Sequence, residues 1–518
     1  DNIGNYCTWN PLSVKPTLTQ AFSNGNLTST MTNGDQNSQG TIFFDAEDTD
    51  GYYFEVTLNT NAGSPGVGVA KFWQHATGGG GTPFSWQANG YLYPFSGGSD
   101  SSPNSYTAGD VVGFFVRNGA IWFHKNGTYE LSGNPNANSG AYATGITGRL
   151  TPLLTQGGAG VPVMTLNTGQ TAYAHTPPTN AKKIATHNLP EPAVANYEDE
   201  YYIKVGISHT NGSTTAVTLP WNPAAVGTMV RVKRTNTTDA WYVFDTVRGD
   251  TDYFEWNSNA AEDTSTLSNG GFTANTFTIA SLFNTGTYMI EAFKVGSYFK
   301  IIEYAGNGGS GTRTYAHGAS EELGFAVTMR TTAGAAGHAA AHKDLTSANW
   351  YLDTTTTAAQ ADYGSAFFDI SDGTNITIDR SSSYLNADGV NYVTYAWANS
   401  GPYAFGKYTG NGNADGPMIN VGGHPETFFN KKTSGADTWQ MIAGHVGTNT
   451  YNYAEDRLAM DTTAATSTYS AMIWDVVSNG FKIRSTDGGY NASSATYIYG
   501  AFGIQPLTDG AVNQGRAK

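Results

Sequence analysis

Cysteine is almost absent from this 518-residue chain: Cys7 stands alone, so no internal disulfide framework can hold the fold and packed cores must do so. Charge is scarce too, at 13% of residues, and it leans acidic, with 26 Lys and Arg against 41 Asp and Glu. A net charge of −15 without any basic stripe gives phosphates nothing to follow, so no nucleic-acid partner is expected. No apolar run approaches the roughly 20 residues that cross a bilayer as a helix, so no membrane insertion is expected. Runs rich in Ala, Glu, Lys and Leu with a 3.6-residue period are scarce, which excludes a helical bundle. The motifs of cofactor and nucleophile chemistry are missing as well. There is no Gly-x-Ser-x-Gly elbow and no Gly-x-x-x-x-Gly-Lys-Ser/Thr loop, and the run Gly78-Gly79-Gly80-Gly81 lacks the helix that a phosphate-cradling loop requires. No cofactor and no enzymatic activity are expected.

What the chain does have is aromatics, at 13%, among abundant Gly, Thr, Ser and Asn, a mixture suited to strands joined by tight turns. Asn-Gly pairs recur along it, at Asn118, Asn126, Asn307 and Asn411 among others, and several sit between apolar alternations as hairpin signals. One phrase is said three times: Tyr288-Met-Ile-Glu-Ala292-Phe293, Tyr392-Val-Thr-Tyr-Ala396-Trp397 and Tyr497-Ile-Tyr-Gly-Ala501-Phe502, its tyrosines spaced 104 and 105 residues apart. A second marker keeps the register, with Phe299 to Tyr304-Ala-Gly-Asn307-Gly308 returning as Phe405 to Tyr408-Thr-Gly-Asn411-Gly412. Each phrase alternates large apolar with small or polar residues, the period of a strand with a buried face. About a hundred residues per unit is the size of a small β-sandwich. The expected fold is all-β: a first sandwich over 1–172, a Pro-rich connector over 173–197, and three tandem sandwiches over 198–298, 299–404 and 405–518, each separately cored like beads on a string.

The first region carries a resemblance. Gly51-Tyr-Tyr-Phe-Glu-Val56, the strand Gly66-Val-Gly-Val-Ala70, the loop Asn89-Gly-Tyr-Leu-Tyr93 and the run from Gly109-Asp-Val-Val-Gly113 through Asn118-Gly-Ala-Ile-Trp-Phe-His-Lys-Asn-Gly127 resemble the successive motifs of a SPRY domain. That resemblance implies a two-sheet sandwich for about residues 35–165 that binds partners through loops at one end. The chain as a whole resembles tail-associated or fibre-like virion proteins of marine bacteriophages. The segments that carry this are Asn5-Tyr-Cys-Thr-Trp-Asn-Pro-Leu12, the SPRY-like block, the connector ending Asn188-Leu-Pro-Glu-Pro192, Tyr408 through Pro417, Ser478-Asn-Gly-Phe481 and Ala495-Thr-Tyr-Ile-Tyr499, in that order. The resemblance implies a structural virion component at the particle surface, homotrimeric, in contact with other virion proteins and with a host-surface glycan or protein.

Candidate sites are weighed on that background. Aromatic faces stack on sugar rings, and Trp73, Trp86, Tyr91 and Tyr93 flank the glycine run in a sandwich-end region, so these four are the candidate ligand-binding residues. The repeated Tyr392, Tyr497 and Trp397 are expected to be core. The acidic loop Asp45 to Gly51 partly matches a calcium loop but lacks the downstream Glu, so it is expected to be a solvated turn. His338 and His342 stand four apart, but their Ala/Gly surroundings supply no third ligand; a short helix or loop with two ordinary histidines is expected, and no metal. Asp245, Asp379, Asp475 and Glu55 are carboxylates that a glycosidase could use, without any pairing evident in the sequence.

Overall fold

The structure is a computed structural model of the chain and describes residues 5–14, 20–32, 36–71, 83–95, 97–101, 103–264, 270–332, 337–443, 453–454, 456–468 and 473–506. Its regular structure is almost all strand, paired antiparallel but for one short parallel pairing; among the described residues the α-helix is a single turn, Gly488–Asn491. The chain divides into two compact units between Glu191 and Pro192.

The first unit is two sheets. One runs, in spatial order, through Gln20–Ser23, Thr28–Met31, Val163–Asn167, Tyr52–Thr60, Val111–Arg117, Ala120–Lys125 and Thr128–Tyr129. The other runs through Gln36–Gln39, Arg149–Gly157, Ser64–Lys71, Phe84–Gln87 and Leu92–Tyr93. Alternate residues of both sheets, among them Phe54, Val56, Val67, Val69, Phe114, Phe123 and Leu154, fill one apolar interior. The hairpin signal at Asn118-Gly119 works as its chemistry demands: both residues take positive φ, +50° and +69°, and the turn pairs Arg117 with Ala120.

The strand Tyr52–Thr60 is buried on both faces, because the stretch expected to be a free connector packs against it. Glu55, 2% exposed, needs donors, and the backbone N–H groups of Ala174 and His175 supply them at 2.8 and 2.9 Å. Tyr173 Oη donates to Tyr53 O at 3.1 Å, and Lys182–Lys183 adds a parallel pairing to Tyr52–Tyr53. The expected 173–197 linker is corrected accordingly: residues 173–191 belong to the first unit.

The second unit holds the three repeats. In the first, Tyr201–His209, Gly286–Lys294, Thr228–Arg234, Trp241–Asp245, Gly249–Glu255 and Asp263–Thr264 form a six-stranded sheet, backed by a three-stranded one. The second repeat builds its sheet in the same order on Phe299–Ala305, Asn391–Ala398 and Leu323–Arg330, and the third on Tyr403–Thr409, Thr496–Phe502 and Thr427–Lys432. The recurring phrase is the inner strand in every case. Its tyrosines are buried because their hydroxyls have partners: Tyr392 Oη donates to Ser383 O at 3.0 Å and Tyr497 Oη to Gly488 O at 2.5 Å. Asn307 and Asn411, in the second repeated marker, are clamped by buried asparagines, with Asn386 Nδ2 donating to Asn307 Oδ1 at 3.0 Å and Asn491 Nδ2 to Asn411 Oδ1 at 2.9 Å.

Separate coring is the expectation that fails. Each repeat does keep an interior between its own sheets, such as Val217, Val230, Phe244, Phe277 and Ile290 in the first and Ala326, Phe368, Ile376 and Ala396 in the second. The opposite faces of the six-stranded sheets, however, meet in one cluster drawn from all three repeats. Phe293, Trp397 and Phe502, the closing residues of the three phrases, touch in a triangle with ring centroids 5.5, 5.5 and 6.1 Å apart. A sheet with large side chains on both faces must bury both, and here each repeat covers the others.

The seams close in a ring. Trp241 Nε1 of the first repeat donates to Ala459 O of the third at 2.9 Å, and Trp439 Nε1 of the third to Asp353 O of the second at 3.2 Å. The second repeat meets the first through Thr354 Oγ1 on Trp256 O at 3.4 Å. Buried Lys233 and Lys431 each reach a carbonyl of the neighbouring repeat, Thr463 O at 3.0 Å and Thr357 O at 2.9 Å, and burial pulls both ammonium groups down to about 8.

Candidate functional site

The four aromatic candidates separate by strand register. Trp86 pairs with Leu92 and both point inward; Trp86 is 0% exposed, packs edge-on against Tyr106 and tilted against Phe123, and donates from Nε1 to Asn104 O at 3.1 Å. It is core, and its candidacy is corrected. Tyr91 and Tyr93 flank Leu92 on the outward side of this short edge strand, 45% and 36% exposed. The turn before them is fixed by Gly90 at φ +91° and by Tyr91 N–H donating to Asn89 Oδ1 at 3.0 Å, so the two rings are displayed on a rigid edge. Trp73 and the Gly78–Gly81 run lie outside the described residues.

The acidic loop holds a lysine. Burial works against the charge of Asp48, but Lys182 Nζ donates to it at 2.8 Å and the N–H groups of Gly51 and Asp50 at 2.9 Å, and together they hold its carboxyl below the usual range. His338 and His342 sit at a strand, Ala339–His342, rather than on a helix or loop, because the alanines between them fit beneath neighbouring strands. His342 Nε2 donates to Tyr499 O at 3.1 Å. The four scattered carboxylates share no partner: Asp245 engages Arg248 and Tyr395, Asp379 Ser381 and Ser365, Asp475 Arg484, and Glu55 Tyr53, Ala174 and His175.

A cleft at the seam of the first and second repeats had no sequence motif. It encloses about 400 Å³ and is lined by Arg248, Asp252, Glu262, Glu303, Thr331 and Asn391 among others. Beneath it Arg248, 3% exposed, donates from Nε to Asp245 Oδ2 and from Nη1 to Glu262 Oε1, each at 2.6 Å, and from Nη2 to Tyr395 Oη at 3.1 Å. Tyr395 Oη in turn donates to Asp245 Oδ2 at 2.7 Å, so this buried charge network ties the two repeats together.

Residues 199–506, which span the three repeats, match a family described as a domain of unknown function, DUF7483. The chain belongs to that family. No curated protein matches it. Among solved structures the chain is similar to the SPRY domain of human HERC1, with 17% identity over 32% of this chain and 99% of that one and a TM-score of 0.26. It is also similar to the carbohydrate-binding module CBM66 from Bacillus subtilis, with 9% identity over 31% of this chain and 94% of that one and a TM-score of 0.21.

Proposed function

We propose that this chain is a non-enzymatic structural component of a bacteriophage virion, of tail-fibre or appendage type, that contributes to attachment to a host-surface glycan or protein. The observation that carries the reading is the outward-facing Tyr91 and Tyr93 pair on a rigid strand edge, in a chain whose segments follow in order those of such virion proteins. Tyrosine rings supply contact area at little entropic cost and suit the apolar faces of sugars. Single contacts of this kind are weak and become effective through many copies on one particle, which fits the homotrimer that the resemblance implies.

Mass spectrometry of purified particles tests the placement, and adsorption of particles carrying Tyr91→Ala with Tyr93→Ala tests the surface. The chain should be found in the particle, and the double variant should slow adsorption. Intact particles lacking the chain, or unchanged adsorption, would overturn the reading, and robust reducing-sugar release from host polysaccharide would remove its non-enzymatic part.

A further inference from the structure

Nine non-glycine residues among the described ones hold φ in the left-handed region; six are asparagines, two are serines, and the ninth is Leu131, at φ +53° and ψ +33°. Asparagine and serine can offset that conformation with a local hydrogen bond, whereas a leucine has only the clash of its Cβ with the following carbonyl. Burial would be the other compensation, and Leu131 does not have it, since its side chain is 42% exposed. The turn is nonetheless built to keep it there. Glu130, 8% exposed, accepts from Asn104 N–H at 3.0 Å and from Asn104 Nδ2 at 2.9 Å, and its own carbonyl accepts from Gly133 N–H at 2.9 Å. A strained apolar residue that a rigid frame presents to solvent has its compensation outside the chain, in whatever it meets.

The same frame joins this turn to the one that displays Tyr91 and Tyr93. Asn104 lies in a loop that packs on that second turn: a Cβ on Gly90 would stand 3.0 Å from Pro103 O, and Tyr106 N–H donates to Ala88 O at 2.9 Å. Three of the six exposed large apolar side chains among the described residues, Tyr91, Tyr93 and Leu131, are thus carried by one connected set of loops. Charge is not what this surface offers. Between Ala88 and Thr107 the one charged residue is Asp100, whose Oδ2 accepts from Tyr142 Oη at 3.1 Å. Lys125, its Nζ on Ser105 O at 2.8 Å, is paired with Asp110 at 3.4 Å. The remainder is Ser, Gly and Asn around two tyrosines, the composition of adaptable protein-binding loops. Leucine decides between the two partner classes left open by the attachment reading. It has neither a flat aromatic face for a sugar ring nor a hydrogen-bonding group for its hydroxyls, and what suits it is an apolar pocket such as a protein surface provides.

We infer that Leu131 is a specificity-determining contact on the surface that carries Tyr91 and Tyr93, and that the partner met there is a protein with an apolar pocket for the leucine. The inference deepens the host-attachment reading and rests on it for the partner's place on the host surface. Calorimetry of the purified full chain carrying Leu131→Asn, together with adsorption of particles carrying the same substitution, tests it. Asparagine suits the left-handed turn, so the first unit of the variant should melt about 2–4 °C higher, while adsorption should slow by about tenfold or more. A leucine with a purely structural role could not give that pair of results, because the fold gains where the contact is lost. Protease treatment of host cells should abolish adsorption of the unmodified particles, and periodate treatment, which cleaves sugars, should leave it. Adsorption unchanged by Leu131→Asn, a lower melting temperature in that variant, or adsorption that survives protease and is lost to periodate would each overturn the inference. Normal adsorption of the Leu131→Asn particles beside slowed adsorption of the Tyr91 and Tyr93 variant strikes this inference and leaves the attachment reading standing; unchanged adsorption in both strikes both.

Discussion

A histidine buried neutral in a folded chain is a weakness in acid, and this chain buries several. Gly127 N–H donates to His124 Nδ1 at 3.1 Å, which leaves Nε2–H to donate to Tyr53 Oη at 2.7 Å, and Tyr53 passes its own proton's bond to Glu55 Oε1 at 2.7 Å. Every lone pair of the ring is used, and burial with His175 alongside pulls the imidazole down to about 4. His342 is held alike, its Nδ1 accepting from Asp344 N–H at 3.1 Å, and burial pulls both it and His338 down to about 4. The unfolded chain takes these protons near 6.5 while the folded chain refuses them until about 4. Their contribution is therefore complete above pH 6.5 and is lost as the pH falls toward 4, on the order of 3 kcal/mol per histidine. Asp461 runs the other way, its carboxyl pushed up to about 6 by burial, so it returns some stability between pH 6 and 3.8. We expect urea midpoints to fall between pH 6.5 and 4.5, more steeply in Asp461→Asn. A midpoint indifferent to pH across that window would show that the folded chain accepts these protons.

At the level of the strand, the repeated tyrosine is a fastener for the loop that leads into it. Tyr392 Oη accepts from Ala387 N–H at 2.8 Å while donating to Ser383 O, and Tyr497 Oη accepts from Ala492 N–H at 2.9 Å while donating to Gly488 O. Each ring also stacks on a first-strand tyrosine, Tyr304 at 5.2 Å and Tyr408 at 4.9 Å. Tyr392→Phe and Tyr497→Phe should each cost about 0.5–1.5 kcal/mol by removing the hydroxyl's bonds to a half-buried N–H and to a loop C=O. The double variant should lose close to the sum, since the two tyrosines share no partner. Denaturation curves check both, and losses within error would deny the fastener role. The strand itself was readable, because alternation in Tyr392 to Trp397 admits few other structures. The strand Ala339–His342 was not, since Ala, Gly and His have little intrinsic preference for strand and only the packing around them makes one. Trp86 and Tyr91 looked alike in sequence, and only the register of Trp86 with Leu92 sends one inward and the other out. The cleft was illegible for another reason: its acids come from two repeats, and the one trace of it is Glu303 standing where the third repeat has Lys407.

For the second unit as a whole, the shared interior decides whether the repeats are three domains or one. An isolated first repeat would expose Met229, Trp241, Phe254, Met289 and Phe293, all fully buried in the chain, and leaving such side chains in water costs about 1.5–3 kcal/mol each. That loss is comparable to the whole stability of a small domain, about 5–15 kcal/mol, so a fragment covering 198–298 should be unfolded or aggregated. In the intact chain the three repeats should melt in one transition. Trp397→Ala, which opens a hole at the triangle with Phe293 and Phe502, should lower that single transition by about 3–5 kcal/mol without splitting it. Calorimetry of the intact chain and the variant reads this directly. Separate endotherms for the repeats, or a well-folded single repeat, would mean that each sandwich stands on the interior between its own sheets and that the common cluster is mere contact. The ring of seam bonds argues for the cooperative outcome: each repeat is hydrogen-bonded to both of the others, so none can leave without stranding groups on both.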